Sequence, residues 1–186
     1  PAHAGHLHIS LEALKRLKLD EIWWLVSPQN PLKRSSELAE YATRLTSARA
    51  IAQHPRIRVL DIEAQHGLFY TIDTIRFLQG RHRNCRFVWL MGADNLAGFH
   101  RWKSWRDIAA RVPIAVLDRA PYSMRALHQR FATAFNTARV AQPRTILASS
   151  TPRWAYLTIP RHPLSSTYLR KLLGKAAFLR HSAPTS

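Results

Sequence analysis

His3 and His6 stand three positions apart around Gly5, and Ser165, Ser166 and Thr167 precede Arg170 near the other end of the chain. Together these residue types suit the two halves of one triphosphate-binding site. An amphipathic stretch carrying Leu7, Leu11, Leu14 and Leu17 begins at the histidines, which places them at or just before a helix N-terminus. Free backbone N–H groups and the positive dipole end attract phosphate at such a place, and Gly5 lets a ligand approach the backbone closely. An imidazole adds an N–H donor, neutral or charged. At the second place, Ser165, Ser166 and Thr167 offer hydroxyl donors and caps to a helix whose buried side is Leu169, Leu172 and Leu173. Arg170 lies one turn after Ser166 and Thr167, so its guanidinium reaches the same anion. Taken singly, each cluster also has a plainer account, as two surface histidines and as an ordinary helix cap. Zinc is the weaker reading, because no Cys or carboxylate lies at ligand spacing beside His3 and His6.

The elements that would position these residues alternate along the chain. Apolar runs at Glu21 to Val26, Ile57 to Ile62, Phe87 to Met91, Ile114 to Leu117 and Trp154 to Ile159 read as strands. Helical patterns fall at His6 to Lys18, Glu37 to Gln53, Ile72 to Gln79, Trp105 to Arg111, Met124 to Phe135 and Thr167 to Leu173. In the second helix, Leu38, Ala42, Leu45, Ala48 and Ala52 form the expected buried stripe, with Ser36 as its cap. Such alternation predicts an α/β fold, a doubly wound parallel sheet with helices on both faces. Ligands of open parallel sheets bind beyond the carboxyl ends of the strands, which directs attention to the loops Ser27 to Lys33, Gly92 to Asn95 and Asp118-Arg119. Segment 136–153 has no strong period and reads as a long loop or a weakly patterned strand and turn. Residues 1–174 form one expected domain and residues 175–186 a short basic tail. A doubly wound domain ordinarily opens with a strand feeding its first helix, so a strand is expected ahead of Pro1.

At 186 residues and 46% hydrophobic content, the chain can bury a sizeable core. No apolar run approaches membrane-spanning length, and no signal peptide pattern is present. Cys85 is the single cysteine, which excludes an internal disulfide and fits a reducing cytoplasm. The formal charge of +17 favours polyanions at low salt. Arg101-Trp102-Lys103-Ser104-Trp105 interleaves aromatics with cations in a way that suits base stacking, yet no nucleic-acid motif accompanies it. No specific nucleic acid partner and no membrane partner are expected, and a homo-oligomer is compatible with the sequence.

His3-Ala4-Gly5-His6 and Leu164-Ser165-Ser166-Thr167-Tyr168-Leu169-Arg170 resemble the two signatures of the nucleotidyltransferase superfamily, whose fold is Rossmann-like. Three further segments narrow the resemblance to the bacterial nicotinate-nucleotide adenylyltransferases. These are Ser27-Pro28-Gln29-Asn30-Pro31-Leu32-Lys33, Tyr70-Thr71-Ile72-Asp73-Thr74, and Gly92-Ala93-Asp94-Asn95-Leu96 continuing to Phe99-His100-Arg101-Trp102. The resemblance covers residues 1–173. The family's first strand and glycine turn would precede Pro1, so the backbone contacts of that turn cannot be carried over.

The resemblance implies transfer of AMP from ATP to nicotinate mononucleotide, yielding nicotinate adenine dinucleotide and pyrophosphate in NAD biosynthesis. It assigns His3, Gly5, His6, Lys33, Asp94, Ser165, Ser166, Thr167 and Arg170 to ATP, with His3, His6 and Arg170 catalytic. Trp102 is assigned to stacking on the pyridine ring, and Tyr70 and Thr71 to nearby recognition. Lys103 is placed by the nicotinate carboxylate, and Arg119 by a phosphate. Mg²⁺ is expected with ATP, held on phosphate oxygens and water without a dedicated protein site. Core packing for Trp102 and a loop cap for Asp94 remain the plainer alternatives. Two other activities compete: adenylyl transfer to another acceptor such as pantetheine phosphate, and non-catalytic nucleic-acid binding on the same fold.

Overall fold

The computed structural model describes residues 2–28, 40–118 and 127–159. The described residues up to Phe69 form one compact unit and those from Tyr70 onward a second.

In the first unit, helix α1 (Ala4–Leu17) leads to strand β1 (Ile22–Leu25), and helix α2 (Tyr41–Ile51) precedes strand β2 (Ile57–Leu60). The two strands pair in parallel, from Ile22 opposite Ile57 to Leu25 opposite Leu60. A parallel pair cannot be joined by a hairpin, so the intervening chain with α2 serves as the crossover. Helix α1 buries Ser10, Ala13, Leu14 and Leu17, whereas Leu11 is 39% exposed. The leucine stripe expected from sequence is thus rotated. Positions 10, 13, 14 and 17 keep the 3.6-residue period, and small Ser10 and Ala13 let the helix sit close to its neighbours. The helix ends on Lys18 in the left-handed region at φ 53°, with Leu19 N–H closing on the Leu14 carbonyl at 3.2 Å. In α2 the buried positions are Ser47 and Ala48, while Ala42 is exposed, so that expected stripe is also narrower than its pattern. Strand β2 stops at Leu60, and Ile62 opens the short helix α3 (Ile62–Gln65).

The second unit begins with helix α4 (Thr71–Arg81) and strand β3 (Trp89–Gly92). A one-turn helix α5 (Ala93–Leu96), a 3-10 turn at Phe99–Arg101 and helix α6 (Trp105–Arg111) lead to strand β4 (Ile114–Asp118). Helix α7 (Arg130–Ala134) and strand β5 (Trp154–Thr158) follow. The strands pair in parallel in the order β3-β4-β5, with Gly92 opposite Leu117 and Asp118 opposite Thr158. Every residue of β4 is buried, as expected for a central parallel strand covered on both faces. The helix expected over Met124 to Phe135 is shorter in its described part, because His128 and Gln129 form a turn before α7. Segment 136–153 is irregular, with 3-10 turns at Asn136–Ala138 and Pro143–Thr145.

Phe99, Trp105, Phe131 and Trp154 centre the core of this unit, meeting largely edge to face at 5.2 to 6.3 Å. Such pairs contribute about 0.5–1.5 kcal/mol each beyond their area burial. The indole N–H of buried Trp154 donates to the Phe135 carbonyl at 2.7 Å, so its burial leaves no orphaned donor. Met91 and Val116, close to the strand ends that carry Asp94 and Asp118, belong to this core.

Candidate active site

Ala4 begins α1, so His3 is its N-cap and His6 lies in its first turn. The Gly5 N–H donates to Nδ1 of His3 at 3.1 Å, and the His3 N–H donates to Nδ1 of His6 at 3.2 Å. Ser, Thr and Glu make this reciprocal cap in most helices; here two imidazoles make it. A nitrogen that accepts carries no proton, so in both rings the proton sits on Nε2. The rings lie 4.1 Å apart, and His3 is 5% exposed. No acidic side chain occupies the first turn of α1, so no carboxylate of that turn offsets the positive end of the helix.

Trp24 of β1 completes this arrangement. Its ring meets His6 edge-on at 6.2 Å, and its Nε1–H donates to the buried Ser10 hydroxyl at 2.8 Å. Residue spacing alone does not couple Trp24 to the histidines, because fourteen residues separate it from Ser10.

At the end of β1, the Ser27 hydroxyl donates to the buried Glu63 carboxylate. Arg44 from α2 donates to the Ser27 carbonyl at 2.8 Å and to the Pro28 carbonyl at 2.9 Å. Burial lowers the Arg44 pKa, an effect opposed by Tyr41, whose ring lies 5.5 Å from the guanidinium. Neither Arg44 nor Glu63 was among the site residues expected from sequence.

In the second unit, Tyr70 is the N-cap residue of α4 and Thr71 its first residue. The Lys103 ammonium lies 4.2 Å from the centre of the Tyr70 ring and 3.5 Å from the Asp73 carboxylate. Tyr70 and Lys103 are therefore neighbours, and Asp73 joins them. Trp102 is half-buried and meets Phe99 and Trp89 edge-on at 5.2 and 6.5 Å. Asp94 is exposed in the first turn of α5, whose N-cap is Gly92. Asp118 is 5% exposed at the end of β4, and its Oδ1 has no hydrogen-bond partner among the described residues. The buried Nδ1 of His100 is likewise without a partner there.

His3, Gly5 and His6 belong to the first unit, and Tyr70, Thr71, Asp94, Trp102 and Lys103 to the second. Lys33, Arg119, Ser165, Ser166, Thr167 and Arg170 lie outside the described residues, as do Ser36, the helix expected at Thr167 to Leu173 and the tail. Among the described residues no three His, Cys, Asp or Glu side chains cluster in a way that could hold a metal, and no helix is long and apolar enough to cross a membrane.

The cytidylyltransferase-like family matches residues 1–172. A probable nicotinate-nucleotide adenylyltransferase of Methylorubrum extorquens is 49% identical over 172 residues, covering 91% of this chain and 93% of that protein. One of the same name from a Bradyrhizobium species is 51% identical, covering 91% and 90%. The chain belongs to the cytidylyltransferase-like family, among its nicotinate-nucleotide adenylyltransferases. Its fold is shared by the Plasmodium falciparum nicotinic acid mononucleotide adenylyltransferase complexed with NaAD, at a TM-score of 0.68 and 17% identity over 93% of this chain and 78% of that one. The same enzyme complexed with APC aligns at a TM-score of 0.65 with the same coverage. In this family the α/β order is the Rossmann-like nucleotidyltransferase fold, matching the parallel architecture expected from the alternation of elements.

Proposed function

We propose that the protein transfers the AMP moiety of ATP to nicotinate mononucleotide, releasing pyrophosphate and forming nicotinate adenine dinucleotide in NAD biosynthesis. The observation that carries this reading is the reciprocal histidine cap of α1, which sets two Nε2–H donors beside the positive end of a fourteen-residue helix. The named relatives, about half identical over nearly the whole chain, support the choice of acceptor.

The attacking group is a phosphate monoester, largely dianionic near neutral pH because its second pKa is about 6. It needs no general base and no protein nucleophile. In-line attack on the α-phosphorus then calls for positioning and for donors aimed at the charge on transferred and leaving oxygens. His3 and His6 supply such donors from Nε2, while the N–H of buried Gly5 is committed to the His3 ring. By resemblance, Ser165, Ser166, Thr167 and Arg170 hold the remaining phosphates, with Lys33 on an opposing loop. Trp102 stacks on the pyridine ring, Tyr70, Thr71 and Lys103 surround it, and Arg119 receives the nucleotide phosphate.

Mg²⁺ supplies charge neutralisation on the phosphates when ATP is bound. Asp94 and Asp118 offer hard oxygen donors from the ends of the paired strands β3 and β4, and the unpartnered Oδ1 of Asp118 suits such an ion. One or two carboxylates with phosphate oxygens and water suffice for it. We place the enzyme in the cytoplasm, where the exposed thiol of Cys85 stays reduced.

The test is pyrophosphate release with ATP and each of nicotinate mononucleotide, nicotinamide mononucleotide and pantetheine phosphate. Turnover with the first is expected to dominate. No turnover with it, under conditions where another acceptor reacts, would overturn the proposal.

A further inference from the structure

All eleven acidic residues of the chain stand at or before Asp118, and the stretch from Arg119 to Ser186 holds eleven lysines and arginines and no carboxylate side chain. Cations there have no acidic neighbour in sequence with which to pair. Within this stretch, Thr137, Arg139, Thr145, Ser149, Ser150 and Arg153 contribute to an open depression of about 530 Å³.

Two features make this depression more than a basic surface. One of its arginines is held in place: the Arg139 guanidinium lies 5.4 Å from the centre of the buried Trp154 ring, and Arg139 bridges in parallel to Trp154, the residue that follows Arg153. The Val140 N–H donates to the Trp154 carbonyl at 2.8 Å, fixing the two segments against each other. Second, the Nε–H of Arg153 is buried and has no hydrogen-bond partner among the described residues. A buried charged donor left unpaired costs more than about 1–3 kcal/mol, and no carboxylate among the described residues lines the depression to relieve it.

We infer that this depression, whose described lining contains none of the motif residues, binds a phosphate group carried by a small molecule. Two guanidinium forks match tetrahedral oxyanion geometry, and the hydroxyls of Thr137, Ser149 and Ser150 supply further donors. The Thr145 hydroxyl is already committed to the Gln142 carbonyl at 2.8 Å. A free anion fits better than a nucleic acid strand, because strand binding relies on aromatic faces for base stacking and the described lining contains no aromatic residue.

The test is a titration of the full chain with inorganic phosphate at constant ionic strength, followed by NMR at the Arg153 Nε–H and the amides of Ser149 and Ser150. Saturable shifts at those positions are expected, with sodium acetate silent. Arg139→Gln and Arg153→Lys are each expected to weaken the apparent affinity about tenfold or more, or about 1.4 kcal/mol, while amide dispersion stays that of a folded chain. Non-saturating shifts, equal shifts with acetate, or unchanged affinity in both variants would overturn the site. Shifts produced by a single-stranded oligonucleotide but not by phosphate would overturn the small-molecule assignment.

Discussion

The His3 N–H donates to Nδ1 of His6 across 3.2 Å, so the second histidine of the motif holds the first in place. Because Nδ1 of His3 in turn accepts from Gly5, the same bonds that cap α1 decide which nitrogen of each ring carries the proton. Capping and chemistry can therefore be separated by substitution. Asn is as good an N-cap as any residue but has no group in place of Nε2, whereas Ala loses both roles. His3→Asn is expected to retain thermal stability and lose turnover by orders of magnitude. His3→Ala is expected to lose turnover equally and about 1 kcal/mol of stability as well. Thermal melts beside pyrophosphate-release rates check this, and near wild-type turnover in His3→Asn would end the assignment of His3 to phosphate.

How much of this was legible in the sequence depends on the range of the interaction. The order of strands and helices was readable because hydrophobic period is local, and β4 announced itself by the unbroken apolar run Ile114 to Leu117. The histidine cap was half legible: the helix start was expected, but that the rings would cap it depends on side-chain rotamers. Leu11 misled the stripe on α1 because small Ser10 and Ala13 face the core there, and pattern alone favours the larger apolar residue. Trp24 and Arg44 were illegible for another reason, since their partners arise only after parallel strands bring distant segments together, and Asp118 was singled out at a strand end without its burial being foreseen. Asp73 could have been found, because it sits inside the motif that pointed to Tyr70 and Thr71.

Lys103 sits over the Tyr70 ring and within reach of Asp73, all three at a half-exposed surface. Exposed ion pairs contribute at most about 1 kcal/mol, so this cluster adds little to folding and is better read as orienting an ammonium. Lys103→Met is expected to leave the melting temperature nearly unchanged while raising KM for nicotinate mononucleotide about tenfold, with kcat much less affected. Asp73→Asn is expected to move KM in the same direction by a smaller factor. Equal KM values across both variants and the parent would remove Lys103 from the acceptor site.

Tyr41 carries a buried hydroxyl with no hydrogen-bond partner among the described residues, and its pKa is raised above 10.0, first by burial and then by the negative charge of Asp61. Between the ordinary value and the raised one, the folded chain keeps a proton that the unfolded chain has lost. Stability from this group is thus complete below about pH 10 and declines as pH rises through the raised pKa. Tyr41→Phe removes both the orphaned hydroxyl and the titration. It is expected to be neutral or stabilising by up to about 1 kcal/mol near pH 8 and to show a shallower loss of stability above about pH 10. Urea unfolding at the two pH values measures both. A steeper alkaline loss in the Phe variant would contradict the sign.

Arg44 spans the carbonyls of Ser27 and Pro28 at 2.8 and 2.9 Å, where the chain leaves β1 for the segment that resembles the family's loop after its second strand. A charge buried in this way is costly, as its lowered pKa records, and the two carbonyls offset that cost only if both are reached. Lysine keeps the charge but presents a single ammonium, which cannot reproduce a planar two-pronged grip. With one charge-assisted bond lost, worth about 1.5–3 kcal/mol, the exit of β1 loosens. Arg44→Lys is therefore expected to raise KM for ATP about tenfold, with α2 still folded by circular dichroism. Arg44→Gln, which keeps one donor and no charge, is expected to fall at or beyond the lysine variant. Because Glu63 also holds this exit, through the Ser27 hydroxyl, Glu63→Gln is expected to give a milder rise of the same kind. Kinetics indistinguishable from the parent in Arg44→Lys would show that the loop is positioned by other contacts.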